Sequence, residues 1–232
     1  MTDPGFKILP QPNDTTCGPT CLQAVYDFYN DYVDLNQVIS EVIALKDGGT
    51  LAVLLANHAL RRGYKATIYT YNLEVFDPTW KTLSHDLLAD KLAKQMVYKN
   101  DKKLRTAIDS YLEFLMLGGN IKFEELSPGL LRSYLKKNIP VLTGLSSTYL
   151  YQCPREYGEH CEYDDERGFP CGHFVVLYDY DHENKLVQLA DPLLPNPVSE
   201  TQYYAVPMQR LLNSILLGVI TYDANLLIIE KE

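Results

Sequence analysis

Four residues of this chain have side chains and positions suited to attack on a carbonyl group. Cys17 stands in the stretch QPNDTTCGPTC with Gln11 six residues before it, and His173 and Asp191 lie eighteen residues apart much later in the chain. A thiol reacts as its thiolate, which the unpaired amides of a helix N-terminus and a neighbouring imidazolium both stabilise. The four residues could perform nucleophilic catalysis if folding brings them together.

The residues after Cys17 are expected to form the helix that positions the thiol. Apolar side chains recur there at helical spacing, which predicts a helix over residues 17–29 whose first turn begins at the cysteine. Cys21 follows four residues later on the same helical face, so we expect it to fill the core. Two further helices are predicted before residue 63, with Asp34 and Thr50 as their N-caps.

A predicted β-hairpin brings the histidine and the aspartate near each other. His173 opens the apolar stretch GHFVVLYDYD, and Asp191 ends the next strand, KLVQLAD. In this position a carboxylate can accept the ring N–H of the histidine and fix its tautomer. The side-chain amide of Gln11 and the backbone N–H of Cys17 could together hold an oxyanion. Each residue also has a structural interpretation: a buried cysteine, a strand-start histidine, an Asp-Pro turn and a loop glutamine.

The ordered set QPNDTTCGPTC, GHFVVLYDYD and ADP resembles papain-like cysteine peptidases, and more closely the soluble, stand-alone relatives of bacteriocin-leader-processing peptidases. In that family a glutamine precedes a Cys-Gly-Pro motif by six residues, and the general base stands in a Gly-His-aromatic-Val-Val strand. The resemblance implies that Cys17 is the nucleophile, His173 the general base and acid, Asp191 the orienting carboxylate and Gln11 the oxyanion donor.

Length and composition favour a globular protein and exclude several functional classes. The 232 residues are 46% hydrophobic and 22% charged, and thirty acidic against twenty-one basic residues give a net charge of -9. Such a surface repels a phosphate backbone, so we expect no nucleic-acid partner. No apolar run is long enough to cross a membrane, and no export signal opens the chain. We therefore expect a cytoplasmic protein with no membrane partner and with reduced cysteines, whose number, five, is odd.

The order of the predicted elements indicates an α+β protein. Helices dominate the first half and strands the last third. With the resemblance, this implies a papain-like fold with a helical N-terminal lobe and an antiparallel β-sheet C-terminal lobe. Residues 1–232 are expected to form a single catalytic domain with a helical insertion at about 72–135, in which helices are predicted over 86–98 and 102–117.

A polar segment between residues 151 and 172 holds the other candidate ligands. Cys153, Cys161, Cys171 and His160 lie in it, so a zinc site or a redox-active pair is conceivable there. The cysteine intervals contain no C-x-x-C knuckle, which structural zinc sites usually show. We expect ordinary loop thiols, and neither a metal nor a cofactor is predicted.

The sequence and the resemblance together predict a cysteine peptidase or amidase that forms an acyl-enzyme on a peptide or isopeptide-like amide. The partner would be a peptide or protein substrate. Two alternatives stay open: a transpeptidase or acyltransferase that uses the same site, and a non-catalytic peptide-binding protein with the same fold.

Overall fold

The computed structural model describes residues 5–45, 48–158 and 160–231. The helices in chain order are α1 Cys17–Phe28, α2 Leu35–Glu41, α3 Ala52–Arg61, α4 His85–Tyr98, α5 Lys102–Met116, α6 Pro128–Leu135, α7 Ser147–Tyr151 and α8 Met208–Leu217. The strands are β1 Tyr64–Thr70, β2 Asn120–Lys122, β3 Val141–Ser146, β4 Glu156–Tyr157, β5 Glu162–Tyr163, β6 Gly172–Asp181, β7 Leu186–Ala190, β8 Tyr203–Pro207 and β9 Asn225–Lys231. Two short 3-10 helices, Pro78–Thr82 and Gly218–Thr221, complete the described elements.

One seven-stranded sheet organises the molecule. Its strand order is β2-β1-β9-β3-β6-β7-β8, and its pairings are antiparallel apart from the parallel pairing of β1 with β2. Strands β4 and β5 form a separate two-stranded sheet inside the segment predicted as a polar loop. The predicted α+β class is confirmed, with the addition that β1 and β2, which both come before residue 123, join the sheet of the C-terminal strands.

Helices cover both faces of the sheet. The apolar residues of α1 to α5 pack on one face with Phe174 and Val176 of β6, and those of α6 to α8 pack on the other face with Val175 and Leu177. Successive side chains of a strand point to opposite faces, so a strand buried on both faces reads as a continuous apolar run. This accounts for the FVVL sequence that follows His173.

Most helix ends lie close to the positions that local sequence signals predict. Asp34 caps α2 by accepting hydrogen bonds from the backbone N–H groups of Asn36 and Gln37, as predicted. The prediction for Thr50 was wrong: Leu51 is the N-cap of α3, and the Thr50 hydroxyl donates to the carbonyl of Ile43 instead. In the predicted insertion, α4 and α5 begin and end within one residue of the expected bounds, and α5 packs against α3.

Gly144, in the buried strand β3, is crossed closely by the segment that leads into β9. A Cβ atom on Gly144 would lie 2.7 Å from the Cβ and 2.8 Å from the backbone oxygen of Asp223. Contacts this short do not occur in folded proteins, and a backbone atom cannot move aside as a flexible side chain can. The close approach therefore requires glycine at this position.

We predict that Gly144→Ala lowers the free energy of unfolding by about 1–3 kcal/mol, because the added methyl group overpacks a rigid contact. Gly129→Ala is the matched control: it lies in α6, and its Cβ would meet only the Ser127 hydroxyl oxygen, at 3.6 Å. The control should be neutral or stabilising by up to about 1 kcal/mol. Urea denaturation of both variants checks this, and equal effects would contradict the packing argument.

Candidate active site

Cys17 is the first residue of α1 and is 7% exposed. Thr16 occupies the N-cap position but makes no side-chain cap hydrogen bond, because its hydroxyl donates to the carbonyl of Asn13 at 3.0 Å. The first backbone N–H groups of the helix thus have no capping side chain. Such groups can stabilise a negative charge on the thiol or on a bound substrate atom.

His173 is the second residue of β6 and is paired with Leu145 of β3. Its Nε2 lies 2.8 Å from Oδ1 of Asp191, and the Cys17 thiol is within hydrogen-bonding reach of the ring. Because Asp191 occupies Nε2, Nδ1 is the ring nitrogen left for the thiol. Cys17, at the start of α1, and His173, at the start of β6, therefore lie close together although they are 156 positions apart in the chain.

The surroundings of His173 favour its charged form. Burial alone would lower the pKa of the imidazole, since a buried charge is poorly solvated. The negative charge of Asp191, the interaction with Cys17 and the hydrogen bonds to both outweigh burial and raise the pKa of His173 above its ordinary value. The site therefore favours an imidazolium beside the thiol.

Asp191 follows β7 and is fully buried, and its carboxylate accepts four hydrogen bonds. Its Oδ1 accepts from His173 and, at 2.9 Å, from the backbone N–H of Leu193. Its Oδ2 accepts from the hydroxyl groups of Tyr151 at 2.8 Å and Tyr204 at 2.6 Å. Burial would raise the pKa of this carboxyl, but the charge of His173 and the hydrogen bonds hold it below its usual value. Asp191 therefore remains ionised inside the protein.

Sequence reasoning did not connect Tyr151 or Tyr204 with Asp191. Tyr151 ends α7 and Tyr204 lies in β8, so no sequence spacing connects them with Asp191 or with each other. Burial, followed by the negative charge of Asp191, raises the pKa of both phenols well above its usual value. Both hydroxyl groups consequently stay protonated and act as donors. The large number of tyrosines, eighteen, was the one visible signal, and it does not identify which of them matter.

Gln11 reaches the same region through its backbone. Its N–H donates to the carbonyl of Pro192 at 2.8 Å, which ties the N-terminal segment to the residue after Asp191. The side-chain Nε2 donates to the carbonyl of Asn13 at 3.0 Å, and Oε1 is buried without a hydrogen-bond partner. An amide nitrogen carries two N–H groups, so one remains uncommitted. No hydrogen bond joins the Gln11 side chain to Cys17 in the described chain.

The other cysteine of α1 has a different environment. Cys21 is fully buried, and its Sγ donates to the carbonyl of Phe174 at 3.3 Å. Burial, then the charges of Cys17 and Asp191, raises the pKa of this thiol well above its usual value. The prediction that Cys21 fills the core is confirmed.

Two thiols of the polar segment, those of Cys161 and Cys171, form hydrogen bonds with the carboxylate of Glu156. Cys171 donates to Oε2 of Glu156 at 3.0 Å, and Cys161 is hydrogen-bonded to the same side chain. Burial, followed by Glu156, raises the pKa of both thiols. Among residues 5–45, 48–158 and 160–231, no group of three or more histidine, cysteine, aspartate or glutamate side chains is arranged to hold a metal ion. Glu159, in the middle of this segment, lies outside the described residues.

We predict that Tyr204→Phe lowers the free energy of unfolding at pH 7 by about 1–3 kcal/mol, since it leaves a buried, ionised carboxylate short of one donor. The matched control is Tyr149→Phe, which removes a hydroxyl that accepts a hydrogen bond from the Asn213 amide and does not contact Asp191. The lowered pKa of Asp191 stabilises the folded protein at every pH above the ordinary aspartate pKa. This stabilisation is lost as the pH falls through the pKa that Asp191 has in the folded state. The difference between Tyr204→Phe and wild type should therefore shrink in acid. A pH-independent difference, or an equal loss in the control, would contradict this.

Several solved structures align with nearly the whole of this chain. A putative C39-like peptidase from Bacillus anthracis aligns with a TM-score of 0.51 at 13% identity, over 99% of this chain and 96% of that one. The peptidase domain of Streptococcus ComA, a bi-functional ABC transporter, gives a TM-score of 0.47 at 13% identity over 98% and 99%. Xylellain, a cysteine protease from Xylella fastidiosa, gives 0.45 at 14% identity over 98% and 83%. At these identities the Bacillus anthracis likeness establishes the fold alone.

The family is established by sequence. The model of the Peptidase_C39 like family matches residues 4–214, which is most of the chain. No curated protein matches the chain significantly. In the part of the chain that the structure describes, no helix combines the length and hydropathy that crossing a membrane requires. The chain therefore belongs to the Peptidase_C39 like family, and it is a cysteine peptidase with the papain-like α+β fold that its sequence predicts.

Proposed function

We propose that the protein hydrolyses a peptide or isopeptide-like amide bond through an acyl-enzyme on Cys17. The observation that carries this proposal is the position of the thiol: it lies at an uncapped helix N-terminus, within hydrogen-bonding reach of an imidazole whose other nitrogen is held by a buried carboxylate. A thiolate and an imidazolium are the reactive forms that acyl transfer requires. We assign Cys17 as nucleophile, His173 as general acid and base, and Asp191 as the orienting group.

The reaction divides into two steps. The Cys17 thiolate adds to the substrate carbonyl carbon, and the carbonyl oxygen becomes an oxyanion held by the backbone N–H of Cys17 and the free N–H of Gln11. His173 gives its proton to the amine that leaves, which produces the thioester. His173 then takes a proton from water as it attacks the thioester, the carbon–sulfur bond breaks to release the acid product, and the Cys17 thiolate and His173 imidazolium are restored. Asp191 keeps the ring in one orientation throughout both steps.

The surface beside His173 offers a position for a substrate side chain. A cavity of about 450 Å³ lies next to the start of β6 and is lined by Ser146, Thr148, Tyr149, Gln152, Cys153, Arg155, Pro170, Leu217 and Ile220. Ser146 is the sheet partner of Gly172, the residue before His173. We propose that a peptide lies along this edge with one side chain in the cavity.

We further propose that residues 1–232 act as a single catalytic domain and that residues 72–135 are an insertion that supports it. Helix α5 packs on α3, and its Lys103 donates to the carbonyl of Thr221, in the segment that precedes β9. The five cysteines are free, which agrees with the cytoplasmic location expected from the sequence.

Cys17→Ala should abolish covalent labelling by an electrophilic peptide probe, because the variant has no nucleophile. His173→Ala should be nearly as severe and Asp191→Asn milder, since the carboxylate acts through the histidine. Mass spectrometry of the labelled protein locates the adduct. Cys161→Ser is the matched control, as Cys161 is an exposed thiol, and this variant should be labelled like wild type. Labelling that survives in Cys17→Ala or disappears in Cys161→Ser would reject the assignment.

Gln11→Ala should lower kcat for a peptide substrate, found by library screening, by about 10²–10³-fold, because one oxyanion donor is lost. Alkylation of Cys17 by iodoacetamide generates no oxyanion, so its rate should not change. Gln209→Ala, an exposed glutamine of α8, is the control for both assays. Equal losses in hydrolysis and alkylation would mean that Gln11 only maintains the structure.

A further inference from the structure

A second buried carboxyl lies near the site, and the mechanism above does not use it. Asp223 belongs to the short segment between the 3-10 helix Gly218–Thr221 and β9, and it is 6% exposed. Its Oδ1 is buried and has no hydrogen-bond partner. Burying a carboxylate with an unpaired oxygen is unfavourable, and a neutral side chain would suit a purely structural position better.

Two glycines make room for this carboxyl. Gly144 of β3 and Gly172 of β6 lie on paired strands, and both face Asp223. A Cβ atom on Gly172 would overlap Oδ2 of Asp223. The carboxyl thus rests against the backbone of the residue that immediately precedes His173. Its position is fixed from two sides by atoms of the sheet that holds the imidazole.

The charged and titratable groups around Asp223 come from three elements. Lys103, in the first turn of α5, and His173, on β6, both lie within electrostatic reach of it, and the Thr221 hydroxyl is hydrogen-bonded to it. Burial raises the pKa of Tyr111 in α5, and the negative charge of Asp223 acts in the same direction. No lysine or arginine forms an ion pair with Asp223 in the described chain. Burial raises the pKa of Asp223 to about 7, against the opposing effects of Thr221, Lys103 and His173.

We propose that Asp223 is a second acidic partner of His173, a positioning residue that stabilises the imidazolium from behind Gly172 when it is ionised. The inference rests on the proposed function, since it assigns Asp223 a role in the ion pair of Cys17 and His173. Electrostatic coupling is reciprocal: because a charged His173 favours the ionised form of Asp223, an ionised Asp223 favours the charged form of His173 to the same extent.

The coupling has a defined sign. Below neutral pH, Asp223 is protonated and adds no charge to the site. Above neutral pH it is ionised, and its negative charge raises the pH at which His173 loses its proton. The reactive ion pair then persists further into alkaline solution. Asp223 therefore widens the alkaline side of the pH–rate profile and has no electrostatic effect on the acid side.

The test is the pH dependence of Cys17 modification by the electrophilic peptide probe, measured on the full chain. Asp223→Asn should match wild type below about pH 6, and its alkaline limb should lie at lower pH than that of wild type, because the imidazolium has lost a nearby negative charge. Asp181→Asn, at the far end of β6 and half-buried, is the matched control and should leave the profile unchanged.

Each outcome decides the proposal. An unmoved alkaline limb in folded Asp223→Asn, or a uniform loss of rate at every pH, would overturn it. If Asp223→Asn does not fold, Asp223→Ser, which is smaller and equally neutral, should show the same displacement. Failure of the wild type to be labelled at Cys17 would reject the proposed function itself, whereas normal wild-type labelling with an unmoved variant would reject only the role of Asp223.

Discussion

The hydrogen bond between Nε2 of His173 and Oδ1 of Asp191 determines much of the surrounding structure. An ionised carboxylate in a protein interior is costly unless donors surround it. The donors here come from the segment after β7, from α7, from β8 and from β6, so these elements must meet at Asp191 for the protein to fold. In satisfying this requirement, the fold also fixes the orientation of the imidazole. Stability and the orientation of the imidazole therefore depend on the same group.

The sheet brings two distant parts of the chain, α1 and β6, together. Helix α1 packs directly on β6, where the Cys21 thiol donates to the backbone of Phe174. Gly18, next to Cys17, allows this approach, because a Cβ atom there would lie 2.6 Å from Cγ2 of Thr50 and 3.3 Å from Cδ2 of Phe174. The Cys17 thiol, at the N-terminus of α1, consequently lies beside the first residues of β6. Asp223, behind Gly172, adds a carboxyl whose charge depends on pH near neutrality, and the Asp191 carboxylate does not vary in this way.

Sequence reasoning predicted what depends on local chemistry and missed what depends on distant contacts. The bounds of α1, α4 and α5, the Asp34 cap and the hairpin that carries His173 and Asp191 follow from periodicity, capping residues and turn signals within short stretches. The cap at Thr50 failed because its hydroxyl binds a carbonyl seven residues earlier, a contact that no capping pattern encodes. The contacts of Tyr151 and Tyr204 with Asp191, and the position of Asp223, were missed for the same reason. Each acquires its role from a neighbour many residues away in the chain.

The central claim is that His173 is an imidazolium held between Cys17 and Asp191, and nitrogen-15 NMR of histidine-labelled protein tests it most directly. We expect the His173 ring to keep both of its protons at a pH well above the ordinary histidine pKa of about 6.5, and to lose one of them at a lower pH in Cys17→Ala. A His173 ring that titrates at the ordinary value in wild type and is unaffected by Cys17→Ala would contradict the account.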